Sequence, residues 1–395
     1  MVDVFSGMLP ALLPKIREDY GLSRTRVIIL LTVMSLVCNG TQIATGNLRA
    51  RKRGMLFLPV GLLLSAVLCL MALAPRDGSA EYWFYMMVVV SGIGIAIVHP
   101  EGLRAVHGLE KIPGSICTAV FMMGGFFGFA AGAWISTELV MWRGGNLEGL
   151  YYLIPAAVFG FVVLWLIKIR LSLEEDHENG SAEKNSERLP FRLIFVMAVP
   201  AAISTTLIMS LLPTRLVEEL HFELTFGGFS GMTLVGGGVM GSVFWAWLAH
   251  RFGYLLNATA SVLLGIPFFL VYLAYIDRHG AVWLLAAGGF CTIAAYPLLV
   301  TLAKWARGVR YGLRLGLMVG GTWGVAGLFL AGMGPIADKV GVQPILRWFW
   351  LGYLISGVGG IWVLYQIKVK KRWKMDLPNY ISDTQEEMLS GLPNA

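Results

Sequence analysis

Apolar runs of about 17–25 residues, the length at which an α-helix crosses a hydrocarbon core of about 30 Å, recur along the whole chain. They fall near 25–48, 55–74, 82–103, 115–139, 150–170, 191–212, 226–248, 254–276, 281–303, 313–334 and 344–367, eleven full spans in 395 residues. In lipid every backbone N–H and C=O must find a partner inside the protein, which leaves helices as the way to satisfy runs of this length. With 56% of residues hydrophobic and only 14% charged, a water-soluble domain is excluded. The expected fold class is therefore all-α and polytopic. A twelfth span opens the chain, because Met1 to Pro14 is apolar yet too short to cross. It reads as the second half of a helix that is either re-entrant or completed upstream of Met1, and the second is expected because a half-helix leaves backbone groups unpaired in lipid.

The net charge of +7 raises the question of nucleic acid, but in a membrane protein the placement of Lys and Arg matters more than their sum. With loops alternating from 49–54 as cytoplasmic, 21 of the 31 Lys and Arg residues collect on that side. The excess of base is thus topological, and both chain ends are expected in the cytoplasm. Cys38, Cys69, Cys117 and Cys291 all lie in apolar spans and form no C-x-x-C pair, so they read as small packing residues.

The segment LSLEEDHENGSAEKNSERLP at 171–190 is the one long polar stretch before the tail. It divides the chain into a six-helix bundle at 1–170, a cytoplasmic linker at 171–190, a second bundle at 191–370 and a cytoplasmic tail at 371–395. An internal repeat supports that division. LLP at 12–14 recurs at 211–213, an offset of 199; IAIVHP at 95–100 meets TIAAYP at 292–297, an offset of 197; GGFFGFAAG at 124–132 meets GGTWGVAGL at 320–328, an offset of 196. Matches in chain order at one nearly constant offset predict parallel repeats related by an axis along the membrane normal, with a substrate path between them.

The repeat isolates one cluster. Pro100 and Pro297 are shared between the halves and are expected to bend the same helix in each. His99 and Glu101 are not shared, since the second half has Tyr296 and Leu298 in their places. The cluster from His99 to Arg104 is either the end of a membrane helix meeting water or a site inside it. Asp3 lies about 16 Å from Pro14 along a helix, near mid-membrane, where an ionisable group costs several kcal/mol unless paired or hydrated. Glu101 and Arg104, three apart, can share a helix face. His99 and Glu101, about 200° apart, cannot, so one is expected to face the cavity and the other to support packing. Gly124, Gly125, Gly128 and Gly132 suit close helix packing better than phosphate binding, because neither a strand nor a following Lys-Ser/Thr accompanies them. The aromatic clusters Tyr82-Trp83-Phe84-Tyr85 and Trp348-Phe349-Trp350 read as belts at the membrane interface.

In VDVFSGMLPALLPKIREDYGLS at 2–23, LPVG at 58–61, GIGIAIVHPEGLRAV at 92–106 and GGFFGFAAGA at 124–133 the chain resembles the major facilitator superfamily of transporters, and within it the fosmidomycin-resistance-like group. In the second half the resemblance is general, GPIADKVG at 334–341 being its best piece. It implies twelve helices in two bundles, alternating access and proton-coupled export of a small molecule across a bacterial inner membrane. It also implies that Asp3, His99, Glu101 and Arg104 serve substrate or proton coupling, that the four glycines serve helix packing and gating, and that Tyr296 faces the cavity. Two positions depart from the pattern: Ala50 in GNLRA stands where the superfamily's loop motif has Asp, and Ala133 stands where a Pro usually follows the last glycine.

Enzyme chemistry is not expected, because H-E-x-x-H is absent and His177-Glu178 lies alone in the linker. No cofactor or metal is called for, and the chain is expected to act as a monomer on a small-molecule substrate and protons within the bilayer. The competing expectations are proton-coupled uptake of a small organic anion and a non-transporting receptor or scaffold. Arg104 and His99 suit an anionic substrate, whereas the many aromatics suit a lipophilic one.

Overall fold

Each apolar run closes its own backbone hydrogen bonds as a helix, and the turns between runs fix where each helix stops. The computed structural model describes residues 1–49, 54–107, 114–167, 169, 171, 188–309, 311–370 and 373. The loop carrying Ala50, most of the 171–190 linker and most of the tail lie outside the described residues.

Helix α1 spans Val2–Tyr20 and stops at Gly21, whose φ of 62° supplies the left-handed C-terminal cap. It continues past Pro14 through the charged turn Lys15–Asp19, where the Lys15 Nζ pairs with the Asp19 carboxylate at 2.6 Å. Helices α2 (Arg24–Arg49), α3 (Phe57–Ala66, extended by a 3-10 stretch Val67–Leu73), α4 (Ala80–His107), α5 (Gly114–Trp142) and α6 (Ile154–Ile167) complete the first half. The second half holds α7 (Phe191–Thr214), α8 (Leu224–Phe252), α9 (Tyr254–Ala274), α10 (Val282–Thr292) with α11 (Ala295–Lys304), α12 (Tyr311–Gly316) with α13 (Thr322–Val340), and α14 (Gln343–Trp348) with α15 (Leu351–Lys368).

These elements make twelve passes, ten of them long and apolar enough on their own to cross a membrane. The remaining two are α1, with its charged last turn, and the short Phe57–Leu73 pass.

The two prolines shared by the repeat behave differently. Between α10 and α11 the helix is interrupted at Ile293–Ala294, four residues before Pro297. Pro297 has no N–H for the Ile293 carbonyl, and the Tyr296 N–H donates to it at 3.3 Å. Helix α4 runs unbroken through Pro100. The pass at 313–334 is likewise not uniform, since a π-helical turn, Leu317–Gly321, separates α12 from α13.

Packing follows the repeat. In the first half α1 packs on α5, α2 on α4, and α3 on α4 and α6; in the second, α7 packs on α13, α8 on α10, and α9 on α10 and α15. The halves meet along α5 with α8 and along α2 with α13, contacts that exchange under the same half-to-half correspondence.

At the end away from the linker, polar links join the halves. Arg17 and Arg24 both reach the Glu218 carboxylate, at 2.7 and 3.0 Å. The Asp338 carboxylate accepts from the backbone N–H of Arg24 and Thr25 and from the Thr25 hydroxyl, capping the first turn of α2 from across the interface. Within the second half Glu219 caps the start of α14, accepting from the Val342 N–H at 2.6 Å and the Gln343 N–H at 3.2 Å, while Arg24 reaches it across the interface at 3.5 Å.

Candidate functional site

The site is built where α1, α4 and α5 converge. Helix α1 presents Asp3 about 25 Å from its Tyr20 end, level with His99 on α4. This is deeper toward the linker end than a helix ending at Pro14 implies, because the charged turn after Pro14 is helical. Helix α5 makes room for the carboxylate with glycine. A Cβ on Gly125 would sit 3.2 Å from Asp3 Oδ2, and one on Gly128 3.3 Å from Asp3 Cβ. One turn further, a Cβ on Gly132 would lie 2.0 Å from the Val4 carbonyl oxygen, so any side chain there forces the two backbones apart. Gly124 faces open space.

His99 Nε2 stands 3.5 Å from Asp3 Oδ1, within ion-pair range and at the outer limit of a hydrogen bond. On its other side, His99 Nδ1 donates to the Ile95 carbonyl at 2.8 Å. A carbonyl only accepts, so that contact fixes the proton on Nδ1. Nε2 then offers a lone pair toward Asp3 when the ring is neutral and an N–H when it is cationic. The Phe121 ring meets the imidazole edge-on, with centroids 6.2 Å apart. Both groups are partly open rather than sealed in the packing, with 24% of the His99 side chain and 20% of that of Asp3 exposed.

Glu101 turns the opposite way, as the 200° phase difference requires. It is 1% exposed, and its Oε2 accepts from the backbone N–H groups of Leu56, Phe57 and Leu58 at 3.1, 2.8 and 3.1 Å. That carboxylate is the N-terminal cap of α3, delivered from α4. Arg104, one turn further along α4, is also buried, at 4% exposure. The structure thus joins Asp3 to His99 and separates both from Glu101.

Tyr296 donates its hydroxyl to the Met318 carbonyl at 2.9 Å, inside the π-helical turn, and its ring stands edge-on to Trp323. It is tied to the wall of the second half rather than to the Asp3–His99 pair. Among the described residues no group of three or more His, Cys, Asp or Glu side chains is placed to hold a metal ion.

Reading the sequence for functional residues missed the polar links between the halves. Their signal was present in the charged runs after each LLP, KIREDY at 15–20 and TRLVEE at 214–219. Their meeting across the interface was not.

Twelve passes in two matched halves, with an ionisable pair held inside the first, define a multi-pass integral membrane protein of transporter type. A family model described as Major Facilitator Superfamily matches residues 1–304, and the chain belongs to that superfamily of membrane transporters. It is similar to the fosmidomycin resistance protein of Escherichia coli (strain K12), 21% identical over 355 residues that cover 87% of this chain and 86% of the relative. It is also similar to the uncharacterized MFS-type transporter YfnC of Bacillus subtilis (strain 168), 22% identical over 355 residues covering 87% and 85%. Among solved structures, an inward-facing, unoccupied bacterial homolog of the human lysosomal transporter Spinster superposes with a TM-score of 0.70 at 13% identity, covering 94% of this chain and 96% of that one. Membership implies a small-molecule substrate and a lipid bilayer.

Proposed function

We propose that the protein exports a small molecule from the cytoplasm in exchange for protons, and that Asp3 and His99 carry the proton. The observation that supports this most directly is the 3.5 Å approach of His99 Nε2 to Asp3 Oδ1, with both side chains partly exposed. Because the Ile95 carbonyl holds the other ring proton, protonation takes place on Nε2, facing the carboxylate. The added charge is then paired where it forms, which lowers its cost inside the membrane.

The halves are 1–170 and 191–370, joined by the 171–190 linker, and the bias of Lys and Arg places the linker end in the cytoplasm. On that assignment the polar links of Arg17, Arg24, Glu218, Glu219 and Asp338 close the outer face. The pair at the cytoplasmic half of the bundle then exchanges its proton with the inside. Similarity to a protein named for fosmidomycin resistance favours export over uptake.

The test is transport in proteoliposomes under an imposed pH gradient, with fosmidomycin as the first probe and a panel of toxic compounds, screened in an efflux-deficient host, as the alternative source of substrate. Asp3→Asn and His99→Tyr are each expected to reduce gradient-driven transport about a hundredfold or more, the lower end of what one proton-transfer group supplies, while leaving substrate counterflow intact. If both variants respond to pH as the wild type does, the pair is not the coupling site.

A further inference from the structure

We propose that a cavity at the end opposite the linker, between α5 and α8, is a binding site for an organic cation with an aromatic or alkyl body. This goes beyond the transport reading and does not depend on it, because none of the residues concerned touches Asp3 or His99.

The cavity is a cleft open to the surface, with a volume of about 520 Å3. Its walls come from both halves. Trp134 and Glu138 belong to α5, and the rest comes from the turn after α7, the first two turns of α8 and the turn before α10. Two wall elements are aromatic faces. Trp134 and Phe229 meet edge-on across the seam, with centroids 6.4 Å apart, and the ring of His279 packs against Phe222 and Phe226, each at 4.8 Å. The polar members are two carboxylates, Glu138 and Glu223, with Thr225 and the imidazoles of His221 and His279. The Glu138 carboxylate accepts from the Trp134 indole N–H at 2.9 Å, which fixes both side chains on the wall, and Glu223 is held by the Thr225 hydroxyl at 3.4 Å. Among the described residues, no Lys or Arg lines the cavity.

Aromatic faces beside carboxylates, with no Lys or Arg among the described lining residues, are the chemistry that recognises a substituted ammonium or phosphonium group above the pH at which the two imidazoles gain charge. The backbone that builds this corner is also specialised. His221 has φ 56°, the one non-glycine residue with positive φ among the described residues. It occupies the cap of the turn after α7, where the Phe222 N–H donates to the Leu216 carbonyl at 3.0 Å. Glycine is the default for that conformation, and histidine is among the residues that tolerate it. Here it adds an imidazole to the wall and aims Phe222 at His279.

The test uses the purified full chain in detergent with tetraphenylphosphonium as the probe, read by isothermal titration calorimetry. Wild type is expected to bind it saturably, and tetraphenylborate, of the same shape and opposite charge, titrated in a separate experiment, is expected not to bind. The exposed double variant Glu138→Gln/Glu223→Gln is expected to weaken binding roughly tenfold or more, and Trp134→Leu severalfold, from the loss of carboxylate and ring faces. Asp3→Asn is expected to leave the affinity unchanged. The absence of saturable binding, equal binding of tetraphenylborate, or wild-type affinity in both cavity variants overturns the proposal. So does loss of binding in Asp3→Asn, which would place the cation in the central site instead.

Discussion

The same helical position carries an ionisable His–Asp pair in one half of the molecule and a neutral hydrogen bond in the other. In the first half, α1 offers Asp3 and α4 offers His99, 3.5 Å apart. At the matching offsets the second half has Ala202 on α7 and Tyr296 on α11, and the phenol turns to the Met318 carbonyl instead. Both members of the pair are missing together. The repeat supplies a scaffold in which a helix opening each half packs on the fifth of that half, and that scaffold holds without the charges. Since a buried charge costs several kcal/mol that folding alone gives no reason to accept, the charged half is where chemistry is expected.

The halves also differ in what their fifth helices carry, and the largest predicted effect lies there. Gly132 corresponds to Leu328, which stands on α13 with 58% of its surface exposed. A side chain is therefore tolerated in one half and forbidden in the other. Gly132→Val must push α1 off α5, because the new Cβ would meet the Val4 carbonyl, and overpacking of this kind costs about 1–3 kcal/mol or more. Thermal unfolding of the purified protein should show a large loss, with little folded protein recovered. Gly124→Ala, facing open space, should unfold like the wild type. If the two variants are equally stable, the close approach of α1 and α5 is wrong.

The next effect separates two carboxylates within the first half. Glu101 corresponds to the buried Leu298, so its charge too is absent from the second half, yet its oxygen is engaged by three N–H groups at the start of α3. Glu101→Ala leaves those donors unpaired, at a cost of about 1–3 kcal/mol. Glu101→Gln keeps an acceptor oxygen and should lose less than half of that, measured as the shift in unfolding midpoint. Gradient-driven transport should survive in the Gln variant. If it is lost while the fold persists, Glu101 titrates in the cycle and the assignment to Asp3 and His99 needs revision.

Much of this architecture was legible beforehand, because membrane helices announce themselves by length and apolarity. The spans and the repeat came directly from the residues, and helical phase alone predicted that His99 and Glu101 would part company. What stayed hidden depends on contacts between distant segments. The turn Lys15–Asp19 reads as a charged loop until Arg17 is seen to pair with Glu218, 201 residues away. The interruption at Ile293–Ala294 and the unbroken helix at Pro100 follow the same proline in similar sequence, so the difference lies in what surrounds each helix. That Glu101 would serve α3 required knowing which helix begins beside it.

A smaller effect is expected where the halves touch each other. Asp338 caps α2 through the Arg24 and Thr25 N–H groups at an exposed position, so its removal should cost about 0.5–2 kcal/mol, the range of a lost N-terminal cap. Asp338→Asn, which keeps a neutral acceptor, should fall at the low end. Labelling of a cysteine placed at Ser23 is a suitable readout, because opening of this end changes its access to a bulky reagent. The rate should rise severalfold in Asp338→Ala and less in Asp338→Asn. Equal rates in wild type and both variants would mean that the cap does not help to hold this face shut.

The smallest effect should come from the neutral counterpart of the His–Asp pair. Tyr296→Phe removes the hydroxyl that donates to the Met318 carbonyl and keeps the ring that stacks edge-on with Trp323. The Thr322 hydroxyl also donates to that carbonyl, so it keeps a partner when the phenol is lost. The net contribution of one such hydrogen bond is about 0.5–1.5 kcal/mol, and a carbonyl that stays satisfied places this change at the lower end. The expected result is a small fall in unfolding midpoint with gradient-driven transport and its pH dependence unchanged, as the proposed coupling through Asp3 and His99 requires. A strong change in pH dependence would show that the second half takes part in coupling, and that its chemistry is less neutral than the pairing of Ala202 with Tyr296 implies.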